Sequence, residues 1–228
     1  MHSLNEKGSN GGFSLLELLI AMVITMALMT AASTLLANAL RVRTRENQKS
    51  DALADTQRAL NIMSREIANA GFGLTNNKIV ATESGRNEIR IRSNLNKYDI
   101  FALAASRDSA TDENEDITYF VNEAADKKYL VRHDEFGTGS TVLANRIDSL
   151  NFYYFDQKVT YTALPGTANI TDLSAAEIAD KTKAKYIVIV ISVTLDRLGN
   201  PGEPGYQPPY TVLLCSDVTL RNSDLWNY

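Results

Sequence analysis

Between Phe13 and Leu40 the chain carries a single charged side chain, Glu17, in an otherwise apolar run. No other feature constrains the fold as much. A bilayer core takes about 20 apolar residues in a helix, and a helix satisfies its own backbone groups away from water. A carboxylate at the centre of a bilayer costs roughly 2.5 to 3.5 kcal/mol on insertion scales, so Glu17 is expected to face a partner, a cavity or a polar interface. Neither proline nor glycine occurs from Phe13 to Ala70. The predicted helix therefore continues well past the apolar run, for roughly 85 Å at about 1.5 Å per residue.

The residues opening that run are Gly11-Gly12-Phe13-Ser14-Leu15-Leu16-Glu17. In their glycine, phenylalanine and glutamate, and in the spacing of the three, they resemble the type IV prepilin signal. A secretory signal peptide is cut after its apolar core, which is discarded. The resemblance implies the reverse: prepilin peptidase cuts after Gly12, Phe13 becomes the N-methylated terminus, residues 1–12 are the leader, and the apolar helix stays with the protein. It also implies that Glu17 meets the N-terminal ammonium of a neighbouring subunit in a filament. Two charges that are each costly alone in an apolar medium offset one another when paired, which favours one axial register. The leader departs from the usual pattern, with Lys7 as its one basic residue and Glu6 beside it. Arg41, Arg43 and Arg45 make the far flank more positive than the leader, against the positive-inside tendency.

The 228 residues, 44% of them apolar, leave room for one anchor and one folded domain. A net charge of −4 gives no electrostatic footprint for general nucleic-acid binding. Cys215 is the only cysteine, so no intramolecular disulfide forms, and within its apolar strand it reads as a small buried hydrophobe.

In the second half of the helix, Leu53, Leu60, Met63 and Ile67 form one apolar stripe, with Arg58, Arg65 and Glu66 between them, and the stripe is expected to pack on a sheet. Gly71-Phe72-Gly73 supplies the stop, with Phe72 as a core anchor. Beyond it the pattern turns to period two. Glu88 to Arg92 alternates strictly; Ile117 to Val121 and Tyr129 to His133 read as a hairpin; Leu150 to Phe155, Ile187 to Leu195 and Tyr210 to Leu220 read as further strands, the β-branched run from Ile187 being the central one. Tyr153, Tyr154 and Phe155 are expected to alternate between sheet faces. Asp172 to Lys183 reads as a short surface helix capped by Asp172 or Ser174. Leu198 to Pro209, rich in glycine and proline, reads as a turn or mobile loop. The predicted layout is α+β and pilin-like: a leader (1–12), a transmembrane or filament-core helix (13–40), its amphipathic continuation (41–71) and a β-rich globular domain (72–228) on an antiparallel sheet.

Three further segments resemble those of PilW-type minor pilins: Arg65 to Gly73, Ile117 to Phe120, and Val218 to Asn222. The J-type minor pseudopilin of type II secretion is similar in size and layout. The resemblance implies as partners the prepilin peptidase, major and other minor pilins, the pilus assembly platform and the inner membrane, with the domain in the periplasm before assembly and in the filament or at the cell surface afterwards.

Catalytic patterns are not apparent. His2 falls in the leader and leaves His133 without a second histidine; there is no Gly-x-Ser-x-Gly elbow, phosphate loop or dinucleotide fingerprint. An enzyme is not expected, nor a cofactor. In Asp112-Glu113-Asn114-Glu115-Asp116, the residues Asp112, Asn114 and Asp116 alternate as calcium ligands do, but Ile117 and Thr118 follow where an EF-hand has glycine, so a solvated acidic loop is the favoured reading. The competing class of function is a membrane-anchored periplasmic binding module that does not polymerise.

Overall fold

The computed structural model describes residues 12–75, 77–98, 110–124, 127–137, 139–145, 147–162, 164, 170–171, 177–203 and 205–222. The leader up to Gly11, with His2, Glu6 and Lys7, lies outside them, as do Asp172 and Ser174. Among the described residues one α-helix, α1 (Leu15–Ala68), precedes seven strands: β1 (Glu88–Arg92), β2 (Asp116–Ala124), β3 (Lys127–Asp134), β4 (Gly139–Asn145), β5 (Ser149–Phe155), β6 (Tyr186–Leu195) and β7 (Tyr210–Thr219). By compactness the chain divides into residues 1–45 with 198–207, and residues 46–197 with 208–228.

In the first unit every residue from Gly12 to Ala37 is exposed. Among the described residues, α1 is the one helix long and apolar enough to cross a membrane; its most apolar window has a mean hydropathy of 2.2 and no buried residue. Its threonines need no outside partner: the Thr25 hydroxyl donates to the Ala21 carbonyl at 2.6 Å, and Thr30 to Met26 at 2.8 Å. Local bonding of this kind keeps a polar side chain tolerable in an apolar helix. The other part of this unit is the ordered turn Leu198–Gln207, whose ends exchange backbone hydrogen bonds, Leu198 to Gln207 at 3.0 Å and the reverse at 2.9 Å.

In the second unit α1 becomes one-sided. Thr56, Ala59, Leu60, Met63, Ile67 and then Ala70 are buried, at the three-and-four spacing that lines up one helix face, while Leu53 is half-buried. Regular helix ends at Ala68, and Gly71 (φ 79°) and Gly73 (φ 66°) take the left-handed conformations that close it. A β-carbon at Gly73 would stand 2.7 Å from the Asn94 carbonyl oxygen, so this stop also requires the absence of a side chain.

Where one sheet was expected there are two, both antiparallel: β1-β2-β3-β4 and β5-β6-β7. The predicted hairpin is β2–β3, and β6 is central in its sheet. One core joins Leu60, Met63 and Ile67 of α1 to Ile89, Ile91, Ile117, Tyr119 and Leu130 of the first sheet and to Leu150, Phe152, Ile187, Ile189 and Ile191 of the second. The opposite face of β5 and β6 is also covered, by a smaller cluster of Phe155, Ile170, Tyr186, Val188 and Val190 with Tyr153, Val159 and Tyr161 against it. Burial on both faces is why β6 reads as an unbroken β-branched run. The expected alternation holds: Tyr154 enters the larger cluster, Tyr153 and Phe155 the smaller.

Several expectations are corrected. Phe72 is half-buried, its ring edge-on to exposed Tyr98 at 5.9 Å, and is not a core anchor. Over residues 177–180 the chain is not helical, because the Ile178 N–H donates to the Tyr154 carbonyl at the edge of β5; only a 3-10 turn, Lys181–Lys183, follows, capped by Asp180. Strand β4 was not anticipated. Its sequence barely alternates, only Ala144 is buried, and it forms by pairing with β3 across a register shift at Leu130/Val131. Cys215 is half-buried against the smaller cluster, and burial pushes its thiol up.

Candidate functional site

Gly12, Phe13 and Ser14 lead into the first turn of α1, which carries Glu17. Gly12 and Phe13 precede the helix in exposed, irregular chain; Phe13 is 89% exposed, and a β-carbon at Gly12 would meet nothing within 4 Å. The bond between them is therefore open to approach. Ser14 is the cap, its Oγ accepting from the Leu16 N–H at 3.3 Å, while Glu17 reaches back so that Oε2 accepts from the Ser14 N–H at 3.0 Å.

This reciprocal pair is a capping box, whose sequence signature is the Ser-x-x-Glu at 14 to 17 that overlaps the prepilin-like residues. It changes what Glu17 does within a single chain. The first N–H groups of a helix have no internal partner, and an unpaired N–H in hydrocarbon costs several kcal/mol. Glu17 satisfies one of them and places negative charge at the positive end of the helix dipole. The carboxylate thus has a local role in addition to any role between subunits.

The three calcium candidates do not converge on one centre. Asp112 accepts from the Asn96 side-chain amide, and Asn114 Oδ1 accepts from Arg132 Nη2 at 2.8 Å. Asp116, 1% exposed, accepts from Arg90 through both oxygens, at 2.7 and 2.9 Å, and from Arg92 Nε at 2.7 Å. The Asp116 hydrogen bond is the main reason the Arg90 guanidinium is raised above its ordinary value. Buried Glu115 accepts from the backbone N–H groups of Leu95 and Asp112, at 2.7 and 3.2 Å. Most of the acidic stretch therefore fastens β1, β2 and the loop after β1. Among the described residues no group of three or more histidine, cysteine, aspartate or glutamate side chains is placed to hold a metal ion.

His133 has neighbours that its sequence context did not announce: Ser140 Oγ lies 3.1 Å from Nδ1 and Glu135 Oε2 lies 3.6 Å from Nε2. Ser140 is its cross-strand partner in register. The His133 and Glu135 side chains are 38% and 48% exposed and Ser140 is exposed, so the trio stands in solvent without the desolvated surroundings that activate a nucleophile.

The three looser resemblance segments do meet, around the C-terminal end of α1. Tyr119 donates its hydroxyl to Glu66, and Arg132 Nε donates to the same carboxylate at 3.0 Å. Burial and then the Glu66 carboxylate push the Tyr119 phenol up; burial alone would lower Arg132, and Glu66 overrides it to hold the guanidinium raised. From the C-terminal segment, the Arg221 N–H donates to the Ala68 carbonyl at 3.0 Å, and Asn222 Nδ2 donates to the carbonyls of Asn69 and Ala70, both at 3.3 Å. These bonds satisfy carbonyls that a helix end leaves unpaired. What the segments share is the work of fastening the helix to its domain.

Residues 7–33 match the family described as Prokaryotic N-terminal methylation motif. No curated protein matches the chain significantly, and no solved structure does. The chain carries a type IV pilin-like methylation motif on a helix long and apolar enough to cross a membrane, followed by an α+β domain of antiparallel sheets.

Proposed function

We propose that the chain is a minor pilin of the PilW type, a structural subunit that is not an enzyme. Prepilin peptidase cuts after Gly12 and Phe13 is then methylated. The subunit waits in the inner membrane with its domain in the periplasm until the assembly platform draws it, with major and other minor pilins, into a filament that it primes or caps. The observation that carries this reading is the methylation motif over residues 7–33. The exposed Gly12–Phe13 bond and the uncovered apolar run to Ala37 support it.

Glu17 has two successive tasks in this reading. In the single subunit it closes the capping box with Ser14; on assembly it pairs with the Phe13 ammonium of a neighbour and sets the register. A minor pseudopilin of type II secretion is the second reading, since the methylation motif does not distinguish the two.

Intact-mass and N-terminal analysis of membranes and sheared filaments, with and without the host's prepilin peptidase, tests the proposal. A peptidase-dependent, N-methylated Phe13 terminus in filaments is expected. An uncut chain confined to membranes overturns it in favour of an anchored module that does not polymerise. Glu17→Ala is expected to leave cleavage intact and to deplete the subunit from filaments; an anchor would tolerate the change.

A further inference from the structure

The turn Leu198–Gln207 lies far along the sequence, yet it packs against α1 at the end of the apolar run. A β-carbon at Gly205 (φ +79°) would stand 2.7 Å from Asn38 Oδ1 and 3.4 Å from Arg41 Cδ, and one at Gly199 (φ +77°) 3.8 Å from Arg41 Nη1. A side chain at Gly205 would have to displace Asn38 and would be strained in this left-handed conformation. Internal hydrogen bonds hold the turn in shape: Asn200 donates to Glu203 from its N–H at 3.3 Å and from its side-chain amide at 3.1 Å. Asn38 is also the first half-buried residue of α1.

The length of helix before it fixes the level of that contact. From Leu15 to Ala37 α1 runs for about 35 Å at 1.5 Å per residue, against a hydrocarbon core of about 30 Å. If the apolar run fills the core, Asn38 and Arg41 emerge among the headgroups, and the turn held against them lies at the same level. The charge pattern agrees. No acidic residue lies between Glu17 and Glu46, while Arg41, Arg43 and Arg45 follow the apolar run at once, and Arg43 is exposed. Half-buried Tyr206 lies in the turn, and tyrosine favours the headgroup layer.

We propose that the Leu198–Gln207 turn, docked on Asn38 and Arg41, is an interfacial contact that rests among phospholipid headgroups, with Arg43 against their phosphates, and sets how deeply α1 sits before assembly. The arginines that oppose the positive-inside tendency thereby acquire a role on the outer side of the membrane. This inference rests on the membrane-spanning reading of α1.

The test uses the full chain in vesicles of phosphatidylethanolamine and phosphatidylglycerol, with Cys215→Ser and one fluorophore on either Pro201→Cys or Leu28→Cys. Quenchers are lipids carrying a nitroxide on the headgroup or deep in the acyl chain. The Leu28 label should be quenched by the deep nitroxide, and the Pro201 label roughly twofold or more better by the headgroup nitroxide than by the deep one. Adding Gly205→Ala should release the turn and abolish the headgroup quenching of Pro201 while Leu28 is unchanged. A quenched Leu28 label with a Pro201 label reached only by aqueous iodide overturns the inference and spares the membrane reading; an unquenched Leu28 label overturns the membrane reading itself. Pro201 quenching indifferent to Gly205→Ala overturns the docked turn. Shielding of Pro201 that grows with protein density in the vesicle assigns the surface to a second copy instead and overturns the lipid contact.

Discussion

The two halves of α1 solve opposite problems with one backbone geometry. From Leu15 to Ala37 the helix is apolar all round and exposed at every residue; from Thr56 to Ile67 it buries one stripe and leaves Arg58 and Arg65 in water. The second half is specified from within, because its own sheets supply the surface that Leu60, Met63 and Ile67 cover. The first half is not. Its side chains from Leu15 to Ala37 are left exposed by the rest of the described chain, and the run is long and apolar enough to cross a membrane. Apolar content therefore says that a helix will be buried, and its distribution around the axis says by what.

The largest break in this comparison should come from truncating the same kind of side chain in each half. Ile67→Ala is expected to destabilise the domain by about 2 to 5 kcal/mol, read by urea unfolding of the full chain in detergent with near-ultraviolet circular dichroism. Leu28→Ala should change that value by no more than about 0.5 kcal/mol. Equal losses would mean that the two halves are not separately specified.

A smaller effect is expected at Asp116. Asp116→Asn removes a carboxylate that is 1% exposed and holds both Arg90 and Arg92, so the same unfolding assay should show a loss of about 1 to 3 kcal/mol, with membrane insertion unchanged. A neutral result would mean that packing alone, rather than the ion pairs of β1, aligns the first sheet.

The smallest effect belongs to the exposed half. Ser14→Ala removes one side of the capping box and should cost about 0.5 to 2 kcal/mol of local helix stability. Faster hydrogen exchange at the Leu16 amide in micelles would report it, while the unfolding midpoint of the domain stays put. A shift in that midpoint would show the helix end coupled to the domain.

Much of this fold was legible because periodicity reports burial directly. Strict alternation marked β1 with its bounds, the β-branched run marked β6, and the three-and-four stripe marked the covered face of α1. Strand β4 was not legible, since only one of its side chains is buried and its existence depends on β3 as a template. The expected helix before Lys183 failed at residues 177–180 because the edge of β5 captured a backbone N–H that a helix would have used internally. At the candidate site, the roles of Gly12, Phe13 and Glu17 come from the resemblance to the prepilin signal, whereas the Ser14 cap is legible in the residues themselves as Ser-x-x-Glu.

The sequence by itself determined the uninterrupted helix, its lone carboxylate, the glycine stop and the order of most strands, because each depends on residues close together in the chain. Only the tertiary structure decided that the strands form two sheets, that Asp116 and Glu115 serve as internal ties, and that Glu66, Tyr119, Arg132, Arg221 and Asn222 meet at the helix end. It also decided that a turn near residue 200 lies against Asn38 and Arg41. Those contacts join residues distant in sequence, and no local preference encodes a partner that only folding brings near.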